Sequence, residues 1–209
     1  MKLYGHPLSS CTRKVLFVLA EKGAAADLIV VDLLAGEHRR PEHLARHPFG
    51  RIPVLDDGGF VLYESRAIIR YLDQRLGGTP LVPSDLPARA RMEQWLDVDH
   101  SYVSPAVRTL VRERVVAPGL GRPADPAAVA GALAELDQAL AAIDAGLGEA
   151  AHLAGPALSL ADVSLAPYVA ALPHLGAGEL LAARPRLAAW WQRIAARPAW
   201  RTVEAARAA

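Results

Sequence analysis

The chemistry that this sequence offers begins at Ser9, which follows a short apolar segment and precedes a predicted helix. A hydroxyl at a helix start can donate a hydrogen bond to a thiolate, and the helix dipole adds favourable positive potential there. Both effects would lower the pKa of a bound thiol and keep it as the nucleophilic anion. Serine is also a common N-cap, so Ser9 or Ser10, taken alone, is more simply interpreted as a cap.

Cys11 is the alternative nucleophile, since it is the single cysteine of the chain. A dithiol mechanism needs a C-x-x-C pair at the strand–helix junction, and the chain has Ser9-Ser10-Cys11-Thr12 there. A dithiol mechanism is therefore excluded, whereas a mixed disulfide at Cys11 alone is not. Ser10 and Cys11 are secondary candidates beside Ser9.

Basic side chains that suit a carboxylate follow in the next segments. They are His38, Arg39, Arg40 and Arg51. Arginine binds a carboxylate through two parallel hydrogen bonds, although most charge runs are simply solvated. His43 and His47 lie four residues apart, as zinc ligands can, but no third ligand has suitable spacing and Pro48 ends the helix. No metal is expected.

Pro53 stands in what should be a central strand, where proline is normally excluded. A cis bond after Ile52 is one solution, and it would free the Ile52 N–H and C=O to pair with an extended peptide ligand. An edge strand without function is the alternative. Glu64 and Ser65 open the next helix, where free N–H groups and a hydroxyl form an anion site, unless Ser65 is only an N-cap. These groups meet the needs of a small, negatively charged peptide.

The elements that must position these residues follow from periodicity and turn signals. The predicted order is strand Lys2–Gly5, helix Ser10–Lys22, a buried parallel strand over Leu28–Leu33, a short helix near Pro41–Arg46, a hairpin around Asp57-Gly58-Gly59, and a helix through Leu76. This is a βαβαββα unit.

The remainder of the chain reads as helical. A linker rich in glycine and proline is predicted from Gly77 to Pro87, followed by a long helix over Arg89–Val116 that bends near Pro105. The spacing of apolar residues from Val129 to Leu147 predicts a further helix, and Ser159 to Asp162 has the form of a capping box. The predicted domains are residues 1–77 and 88–209, joined by 78–87.

Composition narrows the function classes. The 209 residues are 52% hydrophobic, and 23 Lys and Arg against 22 Asp and Glu give a net charge of +1. That balance is too even for a protein of nucleic acids or membrane surfaces. One cysteine fits a reducing compartment. With no signal-peptide pattern and no apolar run of membrane-spanning length, we expect a soluble cytoplasmic protein.

Five motifs resemble those of glutathione transferases. They are Leu3-Tyr4-Gly5-His6-Pro7-Leu8-Ser9, Gly36-Glu37-His38, His47-Pro48-Phe49-Gly50, Ile52-Pro53-Val54-Leu55 and Tyr63-Glu64-Ser65-Arg66-Ala67-Ile68. The sequence is most similar to the phi class, of a bacterial type, with a zeta-like Ser9-Ser10-Cys11 element. The resemblance implies a thioredoxin-like α/β domain followed by an all-α helical bundle that carries the electrophile pocket.

The resemblance also implies roles for individual residues. Ser9 would be catalytic and stabilise the glutathione thiolate. The residues implied to bind glutathione are Ser9 itself, His38, Arg39 and Arg51 for the glycine carboxylate, Ile52 and Pro53 for the cysteinyl unit, and Glu64 and Ser65 for the γ-glutamyl end. Phe49 would insert into a partner subunit, which implies a homodimer. Asp162 would stabilise the helical domain.

The second-substrate pocket is expected near His100, Tyr102, Val103 and Val107. Three positions depart from the family pattern: Arg39 where lysine is frequent, Arg51 where glutamine is common, and His47 where asparagine is usual.

The leading hypothesis is an enzyme of detoxification that joins glutathione, its co-substrate, to a hydrophobic electrophile without a bound cofactor. Glutathione-dependent reduction of peroxides or disulfides is the second hypothesis, because the same thiolate would attack oxygen or sulfur. The third is a non-catalytic assembly module with this fold. The full set of site residues argues against the third hypothesis.

Overall fold

The structure of the protein is a computed structural model that describes residues 1–208, with side chains through residue 206. Two units are distinguished by their internal contacts: unit 1 contains Met1–Val82 and the C-terminal segment from Ala195, and unit 2 contains Pro83–Ile194. The sequence-based division into 1–77, 78–87 and 88–209 remains a proposal, and Ala209, its last residue, lies outside the described residues.

Unit 1 is built on a four-stranded sheet. Its elements are β1 (Lys2–Gly5), α1 (Ser10–Glu21), β2 (Asp27–Val30), a 3₁₀ turn (Glu37–Arg39), α2 (Pro41–Leu44), β3 (Val54–Asp57), β4 (Phe60–Tyr63) and α3 (Ser65–Arg75). The predicted βαβαββα order is confirmed. β1 runs parallel to β2, since a helix connects them, while β3 is antiparallel to both β1 and β4.

The second strand differs from its prediction. The sequence indicates a buried strand over Leu28–Leu33, but β2 is shorter, and Ile29 and Val30 are 40% and 54% exposed. The sheet order β2-β1-β3-β4 explains this, because β2 lies at an edge and has a neighbouring strand on one side only. An apolar, β-branched run predicts a strand but not its place in the sheet.

The last helix of the chain, α11 (Pro198–Ala208), packs against α1 within unit 1. The Trp200 ring meets the Phe17 ring edge-on, with centroids 5.1 Å apart. Arg197 donates two hydrogen bonds to the Glu21 carboxylate, at 2.6 and 2.8 Å. The back of α1 is thereby fixed, which holds the helix whose N-terminus carries Ser9.

Unit 2 is helical. Its helices are α4 (Leu86–Val98), α5 (Ser104–Val111), α6 (Ala117–Gly119), α7 (Pro126–Leu147), α8 (Leu160–Ala171), α9 (Gly178–Ala182) and α10 (Pro185–Ala195). Two π-helical turns, Asp99–Val103 and Arg112–Val116, join α4, α5 and α6. The irregularity in the predicted long helix therefore begins before Pro105, and single π turns of this kind are frequent near functional sites.

The predicted capping box at the start of α8 is confirmed. The buried Asp162 carboxylate accepts hydrogen bonds from the Ser159 and Leu153 N–H groups, at 2.8 and 2.9 Å. It also accepts from Trp190 Nε1 at 2.8 Å, so one carboxylate joins three segments of unit 2.

By length and mean hydropathy alone, α7 could cross a membrane, a test that core helices of soluble proteins also pass. In unit 2 the helix buries Leu136, Leu140 and Ile143 on one face. Glu135 and Asp137 flank this face and are exposed. This amphipathic pattern is that of a core helix.

Candidate active site

The predicted site segments adjoin one end of the unit 1 sheet. The residue pairs at this end are Gly5 with Val30, Tyr4 with Val54, and Val54 with Tyr63. Because β1, β2 and β4 end here and β3 begins here, the chain enters or leaves all four strands at the same end of the sheet. The adjoining segments carry Ser9, His38 to Arg39, Arg51 to Pro53, and Glu64 to Ser65.

Ser9 is the N-cap of α1. Its Oγ accepts a hydrogen bond from the Thr12 N–H at 3.4 Å, and its N–H donates to the His6 carbonyl at 2.9 Å. The cap uses a lone pair of Oγ and leaves the hydroxyl proton able to donate. Capping and donation to a thiolate, which the sequence presents as alternatives, are therefore compatible in one residue.

The tight passage from β1 into α1 requires Gly5. A Cβ at this position would lie 2.6 Å from Thr12 Oγ1, which is too close for any side chain. Thr12 is fully buried, and its Oγ1 accepts a hydrogen bond from the His6 N–H at 3.3 Å. The Gly5–Thr12 contact thus holds the loop that presents Ser9.

The two secondary candidates lie just beyond. Ser10 is the first residue of α1, and Cys11 lies half-buried in its first turn. Both occupy the positive end of the helix dipole, as Ser9 does.

Ile52 and Pro53 are joined by a cis peptide bond. Pro53 is buried, and the β3 ladder begins only at Val54. The Ile52 backbone groups therefore lie outside the ladder and are not used in strand pairing, as the sequence predicts.

The junction between β4 and α3 has an unusual backbone. Glu64 is exposed and has φ 70° and ψ 109°, and within the described residues it is the one residue other than glycine with positive φ. It is the N-cap of α3, but its side chain makes no capping hydrogen bond. Ser65 is the first helical residue and not the cap, so the first-turn N–H groups of α3 remain available to an anion.

The sequence gives no signal of the positive φ at Glu64, because an ordinary side chain stands where glycine would be expected. Strained backbone of this kind occurs preferentially at ligand sites.

His38 and Arg39 lie on the 3₁₀ turn before α2. Arg39 Nε donates to His38 Nε2 at 3.3 Å, and His38 Nδ1 is buried without a hydrogen-bond partner. Burial, together with the charge of Arg39, lowers the pKa of His38 below its usual value. His38 is therefore neutral near pH 7, and the cationic groups for a carboxylate are the exposed Arg39 and Arg51.

The turn with His38 approaches the chain before Ile52. A Cβ on Gly50, which has φ 57°, would lie 2.9 Å from the His38 carbonyl oxygen. His43 Nε2 lies 2.8 Å from the Arg51 carbonyl oxygen. These contacts bring the backbone of His38 close to the Gly50–Arg51 segment.

His47 follows α2 and is buried. Its ring packs on the Tyr63 ring with centroids 4.6 Å apart, and the edge of Phe49 meets both rings at 6.1 and 6.3 Å. Phe49 itself is 68% exposed. Burial lowers the pKa of His47, an effect that nearby Glu64 opposes.

The predicted electrophile residues face different directions. Val103 and Val107 are 1% and 2% exposed in the core of unit 2, whereas His100 and Tyr102 are exposed. Tyr102 lines a groove of about 490 Å³. The other lining residues are Val98, Ser101, Glu135, Gln138, Ala139 and Ala142.

Within residues 1–208, no group of three His, Cys, Asp or Glu side chains is arranged to hold a metal ion. His43 and His47 are no exception, since the Nε2 of His43 is bound to a backbone carbonyl.

Comparison with known proteins gives matches along most of the chain. Two family profiles match: "Glutathione S-transferase, N-terminal domain" over residues 1–74, and "Glutathione S-transferase, C-terminal domain" over residues 103–198. Glutathione S-transferase 3 of Zea mays is 41% identical over 213 residues, which cover 99% of this chain and 94% of the relative.

Solved structures are similar over the same extent. Glutathione transferase F7 from Populus trichocarpa superposes with a TM-score of 0.91 at 36% identity, covering 99% of this chain and 98% of the other. Glutathione S-transferase I from maize, in complex with an atrazine glutathione conjugate, gives 0.88 at 31% identity and covers 99% and 97%. The relatives are of the phi class, as the sequence motifs indicate.

Proposed function

The chain belongs to the glutathione S-transferase family, and on this premise we propose which residues carry its reaction. It is a phi-class glutathione transferase, which joins the glutathione thiolate to electrophilic small molecules. In our proposal glutathione is a co-substrate, and no metal or prosthetic group takes part.

Ser9 is the catalytic residue of the proposal. Its hydroxyl donates to the glutathione sulfur while its lone pair accepts from the Thr12 N–H. With the N-terminus of α1 behind it, this hydrogen bond stabilises the thiolate over the thiol and so lowers the thiol pKa. The observation that carries the assignment is the position of Ser9 Oγ as the N-cap of α1, which accepts from the Thr12 N–H and leaves its own O–H as a donor.

In the proposal, glutathione binds at the end of the sheet where these segments adjoin the strands. Arg39 and Arg51 bind the glycine carboxylate, and neutral His38 orients Arg39 by accepting a hydrogen bond from its Nε. Ile52, before Pro53, pairs its N–H and C=O with the cysteinyl unit, as in strand addition. Support comes from the Ile52 backbone groups, which lie outside the ladder, and from the contacts that join the His38 turn to the Gly50–Arg51 segment.

The γ-glutamyl end lies at the start of α3. Its carboxylate accepts from the uncapped N–H groups and the Ser65 hydroxyl, and its ammonium group pairs with the exposed Glu64 carboxylate. The absence of a side-chain cap on α3 supports this assignment.

The test is turnover of glutathione with a generic aryl halide by the wild type, Ser9→Ala and Cys11→Ala. We expect Ser9→Ala to lose most activity and Cys11→Ala to retain it. If Cys11→Ala is the inactive variant, the chemistry is a cysteine exchange and the assignment of Ser9 is wrong.

The electrophile is proposed to bind near residues 100–107. Of the predicted residues, His100 and Tyr102 are kept as contacts because their side chains are exposed, whereas Val103 and Val107 have almost no surface to offer. The maize relative was solved with an atrazine glutathione conjugate, which supports a small organic electrophile as the first substrate class to test.

We further propose a homodimer in which Phe49 of one copy enters the groove beside Tyr102 on the other. Phe49 is exposed but held by ring contacts with His47 and Tyr63, so inserting it costs little conformational entropy. A two-fold dimer would form this contact twice, because each copy carries both the ring and the groove.

Light scattering after size-exclusion chromatography tests the dimer. Phe49→Ala and Tyr102→Ala should both shift the protein toward monomer. If Tyr102→Ala stays dimeric, the groove does not receive Phe49 and this part of the proposal is wrong.

The proposed setting is the cytoplasm, with a role in detoxification and no membrane or nucleic-acid partner. The net charge of +1 and the single cysteine support that setting.

A further inference from the structure

Two histidines of α2 and its C-terminal end contact the segments on either side of the proposed glutathione site. His43 and His47 are 5% and 2% exposed, and their rings are nearly parallel, with centroids 6.5 Å apart. Neither ring offers surface to a ligand. Their contacts indicate what they do instead.

His43 fixes the backbone that precedes the cis peptide. Its Nε2 lies 2.8 Å from the Arg51 carbonyl oxygen, and because a carbonyl only accepts, Nε2 must carry a proton. Arg51 is followed directly by Ile52, whose backbone is proposed to pair with the cysteinyl unit. The hydrogen bond therefore fixes the position of the Arg51 carbonyl and the direction in which the chain continues into Ile52.

The same backbone has little freedom on its other side. Gly50 has φ 57° and lies so close to His38 that a Cβ would be 2.9 Å from the His38 carbonyl oxygen. The Gly50 N–H also donates to the His47 carbonyl at 2.8 Å. A shift of Arg51 would therefore displace the turn that carries His38.

His47 acts by packing. Its ring lies on Tyr63 with centroids 4.6 Å apart and planes inclined by 31°. Its Nδ1 is buried and makes no hydrogen bond within the described side chains. Tyr63 is the last residue of β4 and precedes Glu64, so the ring contact fixes the strand end from which the strained Glu64 conformation begins.

We propose that His43 and His47 are positioning residues for glutathione: His43 holds Arg51 ahead of the cysteinyl site, and His47 holds Tyr63 ahead of the γ-glutamyl site. The inference rests on the proposed glutathione site. It assigns functions to two buried histidines that make no contact with a ligand themselves.

The expected signature is a change in glutathione binding without a matching change in chemistry. Ser9 lies on α1, which neither histidine contacts in the interactions described above, so kcat should change by less than about twofold. Loss of the hydrogen bond to Arg51 would raise the KM and the Kd for glutathione by about fivefold to tenfold.

A matched pair of variants separates positioning from general stability. In His43→Gln the side-chain amide nitrogen can take the place of Nε2, whereas in His43→Asn it is too short to reach the Arg51 carbonyl. Both variants bury one amide. We expect His43→Gln to bind glutathione nearly as the wild type does and His43→Asn to show the raised KM.

A second pair tests His47. His47→Phe keeps an aromatic ring against Tyr63 and loses no hydrogen bond at Nδ1, whereas His47→Ala removes the ring. We expect His47→Phe to retain glutathione affinity and His47→Ala to lose several-fold. Glu42→Gln, an exposed change on α2, is the control and should leave KM unchanged.

Each variant is measured by steady-state kinetics at saturating electrophile, by calorimetric titration with glutathione, and by light scattering, since His47 also contacts Phe49. The inference is overturned if both members of a pair raise KM equally, or if only kcat and thermal stability change. A wild type that fails to bind glutathione would instead refute the proposed function, so the two failures are distinct.

Discussion

The N-termini of α1 and α3 lie at the same end of one sheet, yet their local structures differ. At α1 the Ser9 hydroxyl caps the helix by accepting from the Thr12 N–H. At α3 the side chain of the N-cap residue Glu64 makes no capping hydrogen bond, and Glu64 has positive φ. The N-terminus of α1 is capped by a hydroxyl, whereas the N-cap side chain of α3 makes no capping hydrogen bond.

The difference matches two kinds of charge. A thiolate sulfur needs one well-placed donor, which a capping hydroxyl still has in its proton. A carboxylate has two oxygens and takes several donors, which an uncapped helix start supplies. We infer that α1 serves the chemistry and α3 serves binding, and the predictions below test that division.

The largest effect is expected from Ser9→Ala. Loss of the donor should lower kcat by roughly 10²-fold and raise the pKa of the bound thiol. The pKa is measured from the ultraviolet absorbance of the thiolate across a pH series. Ser10→Ala, one residue further along, is the control and should leave both quantities unchanged. An unaltered thiol pKa in Ser9→Ala would end the distinction between the two helix starts.

At α3 the effect should fall on binding. Glu64→Gln removes the charge that pairs with the ammonium group, and Ser65→Ala removes a donor to the carboxylate. Each should raise the KM for glutathione by about tenfold with kcat nearly constant, since charged hydrogen bonds contribute about 1.5–3 kcal/mol. A fall in kcat at unchanged KM would place α3 in the chemical step.

Replacing the strained residue before α3 should have two smaller effects of opposite sign, one on stability and one on glutathione binding. Glu64→Gly should raise the free energy of unfolding by about 1 kcal/mol, because glycine adopts positive φ readily. Glutathione binding should weaken as in Glu64→Gln, since the carboxylate is lost. Urea denaturation measures the first effect and calorimetry the second. If stability does not rise, the conformation carries no strain.

The smallest expected effect is on the stability of the protein at acid pH. Burial lowers the folded pKa of His47 below 6.5, so the unfolded chain takes up this proton at higher pH than the folded chain does. The contribution of neutral His47 to the free energy of unfolding is therefore fully present above about pH 6.5 and is lost as the pH falls toward the folded pKa. Glu64 opposes the shift, while His43 and Arg51 support it.

Denaturation of the wild type and His47→Asn at several pH values between about 7 and 5 checks this prediction. The variant should lose less stability with acid than the wild type, and His38 serves as a constant background because both proteins retain it. Parallel curves would show that His47 does not titrate in this range. A difference would locate an acid-sensitive point on the α3 side of the site.

Local signals in the sequence were enough for the strand and helix order of unit 1. The Asp57-Gly58-Gly59 turn predicted the hairpin, and periodicity predicted a helix over Ser10–Lys22, which ends at Glu21 in the structure. The cis bond at Pro53 was one of two solutions that the sequence offered for a proline in this segment, and the structure contains it. Each of these depends on residues adjacent in the chain.

Other features depend on neighbours that are distant in the chain. The edge position of β2 was missed because an apolar run does not reveal how many strands flank it. The burial of Val103 and Val107 was missed because the helix face could not be fixed, and the π turn at Asp99–Val103 alters the register there. The pairing of His47 with Tyr63 joins residues 16 positions apart and has no local signal.

The sequence by itself determined the elements, the family and the residue types of the site, because turn chemistry, periodicity and short motifs act over a few residues. Only the tertiary structure decided that Ser9 is the N-cap of α1, that Glu64 precedes α3 with positive φ and no capping bond, and that two buried histidines contact Arg51 and Tyr63. Hydrogen-bond partners and burial depend on which segments meet in space, and strand pairing across the sheet sets those meetings.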